Sequence, residues 1–82
     1  MPKITFYGAS WCGDSRRSER FLTKHGVPFR WVDIDKDRNA REFVRQVNNG
    51  NQVVPTIVLD DGSVLSEPSN SELADRLGIA EE

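Results

Sequence analysis

Cysteine is nearly absent from this sequence, which has Cys12 as its one cysteine among 82 residues. A single cysteine excludes a disulfide within the chain and a metal site made of several cysteines of one chain. Any sulfur chemistry therefore involves Cys12 alone or joins it to another molecule.

Long apolar runs and a strong charge bias are missing as well. No stretch approaches the roughly 20 apolar residues that span a bilayer, and the start Met-Pro-Lys lacks the pattern of a secretory signal. The net charge of −2 gives no electrostatic reason to expect binding to nucleic acid or to a membrane. We therefore expect a cytoplasmic protein that binds neither.

The length favours one domain over residues 1–82, because so short a chain builds only one core. Apolar spacing and turn residues predict strands at 3–7, 29–35, 56–59 and 63–65. Helices are predicted at 16–24, opening near Cys12, at 37–47, and after a cap at Ser69 or Asn70. This order is an α/β fold, β-α-β-α-β-β-α, with a mixed four-stranded sheet and helices on both faces.

Cys12 follows the first strand and opens the first helix, at the strand end where open α/β sheets place their sites. Unpaired N–H groups and the helix dipole favour a thiolate there. Arg16 and Arg17 add positive charge near the sulfur, and Trp11 supplies a flat aromatic surface at the edge of the site. The alternatives are a buried, inert cysteine, a solvated helix face for the arginines and a surface-packing aromatic for Trp11.

The run Tyr-Gly-Ala-Ser-Trp-Cys-Gly-Asp-Ser at residues 7–15 resembles the active-site loop of glutaredoxins, especially the actinobacterial mycoredoxin-like members. The resemblance covers the whole chain and implies a thioredoxin-like fold with strand order 2-1-3-4. Val53-Val54-Pro55-Thr56 is similar to the family segment whose proline is cis. The family implies that Pro55 faces Cys12 and that the backbone of Val54 pairs with an extended disulfide substrate. From the residues alone, a trans proline opening an edge strand is the simpler interpretation.

The resemblance also implies a binding site for a low-molecular-weight thiol. Gln52 lies three places before the proline, and residues 66–70, with Ser69 and Asn70, form the loop before the last helix. This loop lacks the glycine pair and aspartate typical of glutathione binders, so mycothiol competes with glutathione as co-substrate. The alternative for Ser69 and Asn70 is simple helix capping. We expect no tightly bound cofactor and no metal.

Ser15 stands where close relatives commonly carry a second cysteine, which closes the dithiol cycle to this chain. Its hydroxyl can donate a hydrogen bond to Cys12 but cannot resolve a mixed disulfide. Two origins remain open: a natural monothiol member, or a dithiol redoxin converted to a Cys-to-Ser trapping variant.

The expected function is monothiol exchange by a monomer, with Cys12 reducing mixed disulfides between proteins and the small thiol. The Cys-Gly-x-Ser spacing also suggests a 2Fe-2S cluster carrier, although Asp14 replaces the phenylalanine of that type. An electron donor to ribonucleotide reductase would need a dithiol, and a redox-inactive binding module would need an unreactive Cys12. His25 is expected at the far end of the first helix and not as a base.

Overall fold

The computed structural model describes residues 3–81. Its elements follow the predicted order: β1 (Thr5–Gly8), α1 (Gly13–Lys24), β2 (Arg30–Asp33), α2 (Arg38–Val47), β3 (Thr56–Val58), β4 (Val64–Ser66) and α3 (Asn70–Leu77). No helix within the described residues has the length and apolar character to cross a membrane.

The four strands form one mixed sheet in the order β2-β1-β3-β4. β1 pairs in parallel with β2, while β3 lies antiparallel to both β1 and β4. The predicted fold class and strand order are therefore confirmed.

Element boundaries differ from the prediction by up to three residues, most at the starts of α1 and β1 and at the end of β2. α1 begins at Gly13, because Cys12 already has an extended N-cap conformation and the polar residues after it join the first turn. β2 ends at Asp33, because residues 34–36 turn away, with the Asp35 N–H donating to the Asp33 carboxylate at 2.9 Å. The turn directs the chain after β2 toward the loop that carries Cys12.

Helices cover both faces of the sheet, and each face has its own apolar cluster. The larger cluster joins the sheet to α1 and α3 through Phe6, Leu22, Ile57 and Leu73, all fully buried. The smaller cluster, Ile34, Ala40 and Val44, joins the other face to α2. Alternation of side chains along the strands supplies both clusters from the same short segments.

The parallel pairing of β1 and β2 places the site. Gly8 and Asp33 are partners at the last register position, so the loops after the two strands leave the same edge of the sheet. This edge holds residues 9–12 and 34–37 side by side.

Candidate active site

Cys12 caps the N-terminus of α1 with φ −84° and ψ 121°. Its carbonyl accepts the first helical hydrogen bond from the Arg16 N–H at 3.1 Å, and its own N–H donates to the Ala9 carbonyl at 3.1 Å. The side chain is half-buried, so the sulfur is held in place yet reachable.

The sulfur faces the segment before β3. The Cys12 thiol donates to the Val54 carbonyl at 3.7 Å, across 42 residues of sequence. The Val54–Pro55 peptide is cis, which confirms the conformation that the resemblance implied. The Thr56 hydroxyl donates to the Val53 carbonyl at 2.8 Å, and the Glu67 N–H donates to the Pro55 carbonyl at 2.8 Å, so this segment is fixed from both sides.

Ser15 is fully buried below the loop. Its hydroxyl accepts a hydrogen bond from the Ala9 N–H at 3.4 Å. The expected bond to the Cys12 sulfur is not among the hydrogen bonds of the described residues. Ser15 lies in the first turn of α1, where side chains point back toward the preceding loop, and the loop backbone takes the hydroxyl.

Trp11 extends into solvent with 69 % of its surface exposed. Its indole N–H nevertheless donates to the Asp35 carboxylate at 2.6 Å, which fixes the ring beside Cys12. Sequence reasoning did not identify Asp35. The available signal was the parallel pair β1 and β2, whose following loops must meet at one sheet edge.

The two arginines of α1 have different surroundings. Arg17 donates to the Asn70 side-chain oxygen at 2.6 Å and to the Pro68 carbonyl at 3.1 Å, and it lies 3.7 Å from the Asp14 carboxylate. Arg16 is exposed and has no side-chain hydrogen bond or ion pair within residues 3–81. Arg17 therefore ties α1 to the loop before α3, while the Arg16 guanidinium remains available to a ligand.

Ser69 and Asn70 both have structural partners. The Ser69 hydroxyl accepts from the Glu72 N–H at 3.0 Å, and the Glu72 carboxylate accepts from the Ser69 N–H at 3.4 Å, forming a capping box on α3. The Asn70 side chain accepts from Arg17. The helix-capping alternative is thus realised at Ser69.

Gln52 is exposed after α2, and its side-chain oxygen accepts from Arg45 at 3.4 Å. Asn48, which sequence reasoning missed, connects the same region. It donates to the Val44 carbonyl at 2.7 Å and to the Thr56 hydroxyl at 3.1 Å, and it accepts from the Ser66 hydroxyl at 2.5 Å. Asn48 therefore supports the segment that presents Val54 to Cys12.

His25 lies away from this arrangement. It ends α1 at the opposite end from Cys12, with its ring packed 4.5 Å from the ring of Phe21. Residues 3–81 contain no group of three or more His, Cys, Asp or Glu side chains placed to hold a metal ion. The chemistry that this arrangement supports is nucleophilic attack by one sulfur on an extended partner beside Val54.

Comparison with known proteins agrees with this chemistry. The glutaredoxin family model matches residues 4–64, which include Cys12 and the cis-proline segment. A Mycobacterium tuberculosis protein provisionally named a glutaredoxin is 43 % identical over 74 residues, covering 90 % of this chain and 88 % of that protein. Mycoredoxin 1 of Corynebacterium glutamicum is 34 % identical over 73 residues, covering 89 % of this chain and 90 % of that protein.

The fold agrees as well. The crystal structure of the glutaredoxin from Methanosarcina mazei superposes with a TM-score of 0.80 at 28 % identity, covering 95 % of this chain and 80 % of that one. The chain therefore belongs to the glutaredoxin family and is a thiol-disulfide oxidoreductase of the glutaredoxin and mycoredoxin type.

Proposed function

We propose that this glutaredoxin works by a monothiol cycle, releasing proteins from mixed disulfides with mycothiol or glutathione. The observation that carries the proposal is the position of the Cys12 sulfur, half-buried at the start of α1 and 3.7 Å from the Val54 carbonyl. With one cysteine in the chain, no second thiol of the same molecule can resolve the intermediate.

The cycle has two exchanges. The Cys12 thiolate attacks the small-thiol sulfur of the mixed disulfide; a bond forms between these two sulfurs, and the protein leaves as a thiolate. A second small-thiol thiolate then attacks the small-thiol sulfur held on Cys12. The small-thiol disulfide departs, and the Cys12 thiolate is regenerated.

Val54 is the proposed docking point for the disulfide substrate. None of the hydrogen bonds of the described residues uses the Val54 N–H, and the Val54 carbonyl is bonded only to the Cys12 thiol. An extended peptide can use both groups as it would use an edge strand. Pro55 shapes this edge, while Trp11, Arg16 and Gln52 lie exposed as further candidate contacts.

The loop before α3 favours mycothiol over glutathione. The Glu72 carboxylate already occupies the N-terminus of α3, where it accepts from the Ser69 N–H. A second carboxylate, such as either one of glutathione, would be repelled there, whereas the uncharged sugar and cyclitol of mycothiol would not. The name of mycoredoxin 1, a relative 34 % identical to this chain, is consistent with this preference.

Intact mass spectrometry tests the proposal. The reduced chain is mixed with one peptide linked by a disulfide to glutathione and, in parallel, the same peptide linked to mycothiol. We expect one small-thiol adduct on Cys12, release of free peptide, and faster transfer from the mycothiol conjugate.

The matched control is Cys12→Ser, which should give neither adduct nor free peptide. Failure of a folded wild-type chain to take either small thiol would reject the exchange proposal. Attachment of the peptide instead of the small thiol would reject the proposed order of attack. We place this activity in the cytoplasm and assign it to a monomer.

A further inference from the structure

The ring of Trp11 is an exposed aromatic surface with a fixed orientation. It directly precedes the nucleophile in sequence, and 69 % of its surface is open to solvent. An exposed tryptophan would ordinarily sample several rotamers, but the 2.6 Å bond from its indole N–H to Asp35 holds this one. A substrate bound to Cys12 therefore meets the face of the Trp11 ring in an orientation that is already set.

The Asp35 carboxylate is only partly used by this bond. The indole contacts Oδ2, and Oδ1 accepts no hydrogen bond from residues 3–81. The ion pairs of that part of the chain join Arg17 to Asp14 and Arg45 to Glu42, so Asp35 takes part in neither. Within residues 3–81, a carboxylate without a cationic partner thus lies at the edge of the Trp11 ring.

An aromatic face beside an unpaired carboxylate suits a cation. A guanidinium or ammonium group is attracted to the face of tryptophan, and the carboxylate can accept its N–H groups. We propose that Trp11 and Asp35 form a specificity subsite that favours protein mixed disulfides carrying arginine or lysine beside the disulfide-linked cysteine. This inference rests on the proposed exchange function and names a preference within it.

The expected preference is modest because both side chains are exposed. One exposed cation–π contact and one exposed ion pair together correspond to about a three- to tenfold higher kcat/KM. The ion-pair part is screened by salt, so the preference should shrink as ionic strength rises.

A pair of matched peptides tests the subsite. The two differ only in the residue next to cysteine, arginine in one and its neutral isostere citrulline in the other, and both are linked to the same small thiol. Placing the pair first before and then after the cysteine covers both chain directions. We expect the arginine peptide to react about three- to tenfold faster in one of the placements.

Variants then assign the preference to Asp35. Asp35→Asn keeps an oxygen that can accept the indole N–H but removes the charge, so the ratio of the two rates should fall toward one. Unchanged tryptophan fluorescence would show that the ring keeps its surroundings. Asp75→Asn, an exposed position on α3, makes the same change in net charge and should leave the ratio as in the wild type.

The outcomes separate this inference from the function on which it rests. No transfer from either peptide rejects the exchange function itself. Equal rates for arginine and citrulline in both placements reject the subsite alone. A change in the mycothiol-to-glutathione preference of Asp35→Asn, with the arginine preference intact, also rejects it and assigns Asp35 to the small thiol.

Discussion

Ser15 occupies the position from which a second thiol would reach Cys12. The N-cap residue and the residue three places after it face each other at the start of a helix, and small adjustments of the side chains bring such a pair into disulfide geometry. The Ser15 side chain is fully buried and accepts only one long hydrogen bond. The site is therefore built to shelter a small side chain behind the nucleophile.

Ser15→Cys should convert the chain into a dithiol redoxin. We expect mild oxidation to remove the mass of two hydrogens and both free thiols, and the small-thiol adduct on Cys12 to become short-lived, because the new thiol displaces it. Intact mass and thiol titration measure both effects.

Ser18→Cys is the matched control, since Ser18 is equally buried on the same helix. Six residues of helix place it roughly 9 Å from Cys12 along the axis, beyond disulfide range. Two results would contradict the assigned geometry. One is a small-thiol adduct that persists on Cys12 of the Ser15→Cys chain, and the other is an internal disulfide in Ser18→Cys.

We expect Arg17, but not Arg16, to contribute to the free energy of unfolding. Arg17→Ala removes two hydrogen bonds that hold the loop before α3, and we expect the free energy of unfolding to fall by about 1–2 kcal/mol. Arg16→Ala should stay within about 0.5 kcal/mol of the wild type, because that side chain is exposed and unpaired within residues 3–81. Urea denaturation of both variants measures these free energies. Equal losses of stability in the two variants would reject the proposed difference between Arg17 and Arg16.

At the scale of elements, the N-terminus of α3 is stabilised by its capping box. Ser69→Ala should lower the free energy of unfolding by about 1 kcal/mol, because the Glu72 N–H loses its acceptor. Ser71→Ala, at an exposed position in the first turn, serves as the control. Unchanged stability of Ser69→Ala together with a raised KM for the small thiol would instead make Ser69 a ligand contact.

In the turn between β3 and β4, the Asp61 carboxylate accepts two hydrogen bonds from Ser63. The Ser63 hydroxyl and backbone N–H both donate to the Asp61 carboxylate and lower its pKa below the ordinary value of 3.8. A lowered carboxyl pKa stabilises the fold above the unfolded value and loses that contribution as the pH falls through the folded value. The contribution of Asp61 is therefore lost only in acid, below pH 3.8.

Ser63→Ala tests this turn. Removing the hydroxyl takes away the largest cause of the shift, so the NMR titration midpoint of Asp61 should rise toward 3.8. The effect on stability should be small, because the carboxylate is exposed and screened by solvent. An unchanged midpoint would show that the backbone N–H of Ser63 alone lowers the pKa.

At the scale of the whole molecule, the sequence predicted what depends on local pattern. Apolar spacing, turn residues and helix caps located all seven elements, and the motif around Cys12 predicted the family. What it missed are side-chain contacts between residues far apart in the sequence. The bond from Trp11 to Asp35 spans 24 residues, and the one from Arg17 to Asn70 spans 53. Such pairings depend on how the elements pack, which periodicity does not encode.

The choice between exchange and cluster carriage is also a property of the whole molecule. A 2Fe-2S cluster needs four ligands, and one chain offers one thiolate, so two chains and two small thiols would have to assemble. The exposed Asp14 carboxylate lies two residues after Cys12 in each chain and would add negative charge beside an already anionic cluster. We expect this charge to disfavour the assembly.

We accordingly expect the reduced chain to sediment as a 9.3 kDa monomer, both alone and after anaerobic incubation with iron, sulfide and the small thiol. The incubated sample should remain colourless. Asp14→Phe removes the negative charge beside Cys12 and is the variant in which cluster assembly would be easiest to detect. Cys12→Ser removes the cluster ligand. A brown dimer with visible absorption from the wild type, lost in Cys12→Ser, would establish cluster carriage, because only an assembly through Cys12 depends on that sulfur.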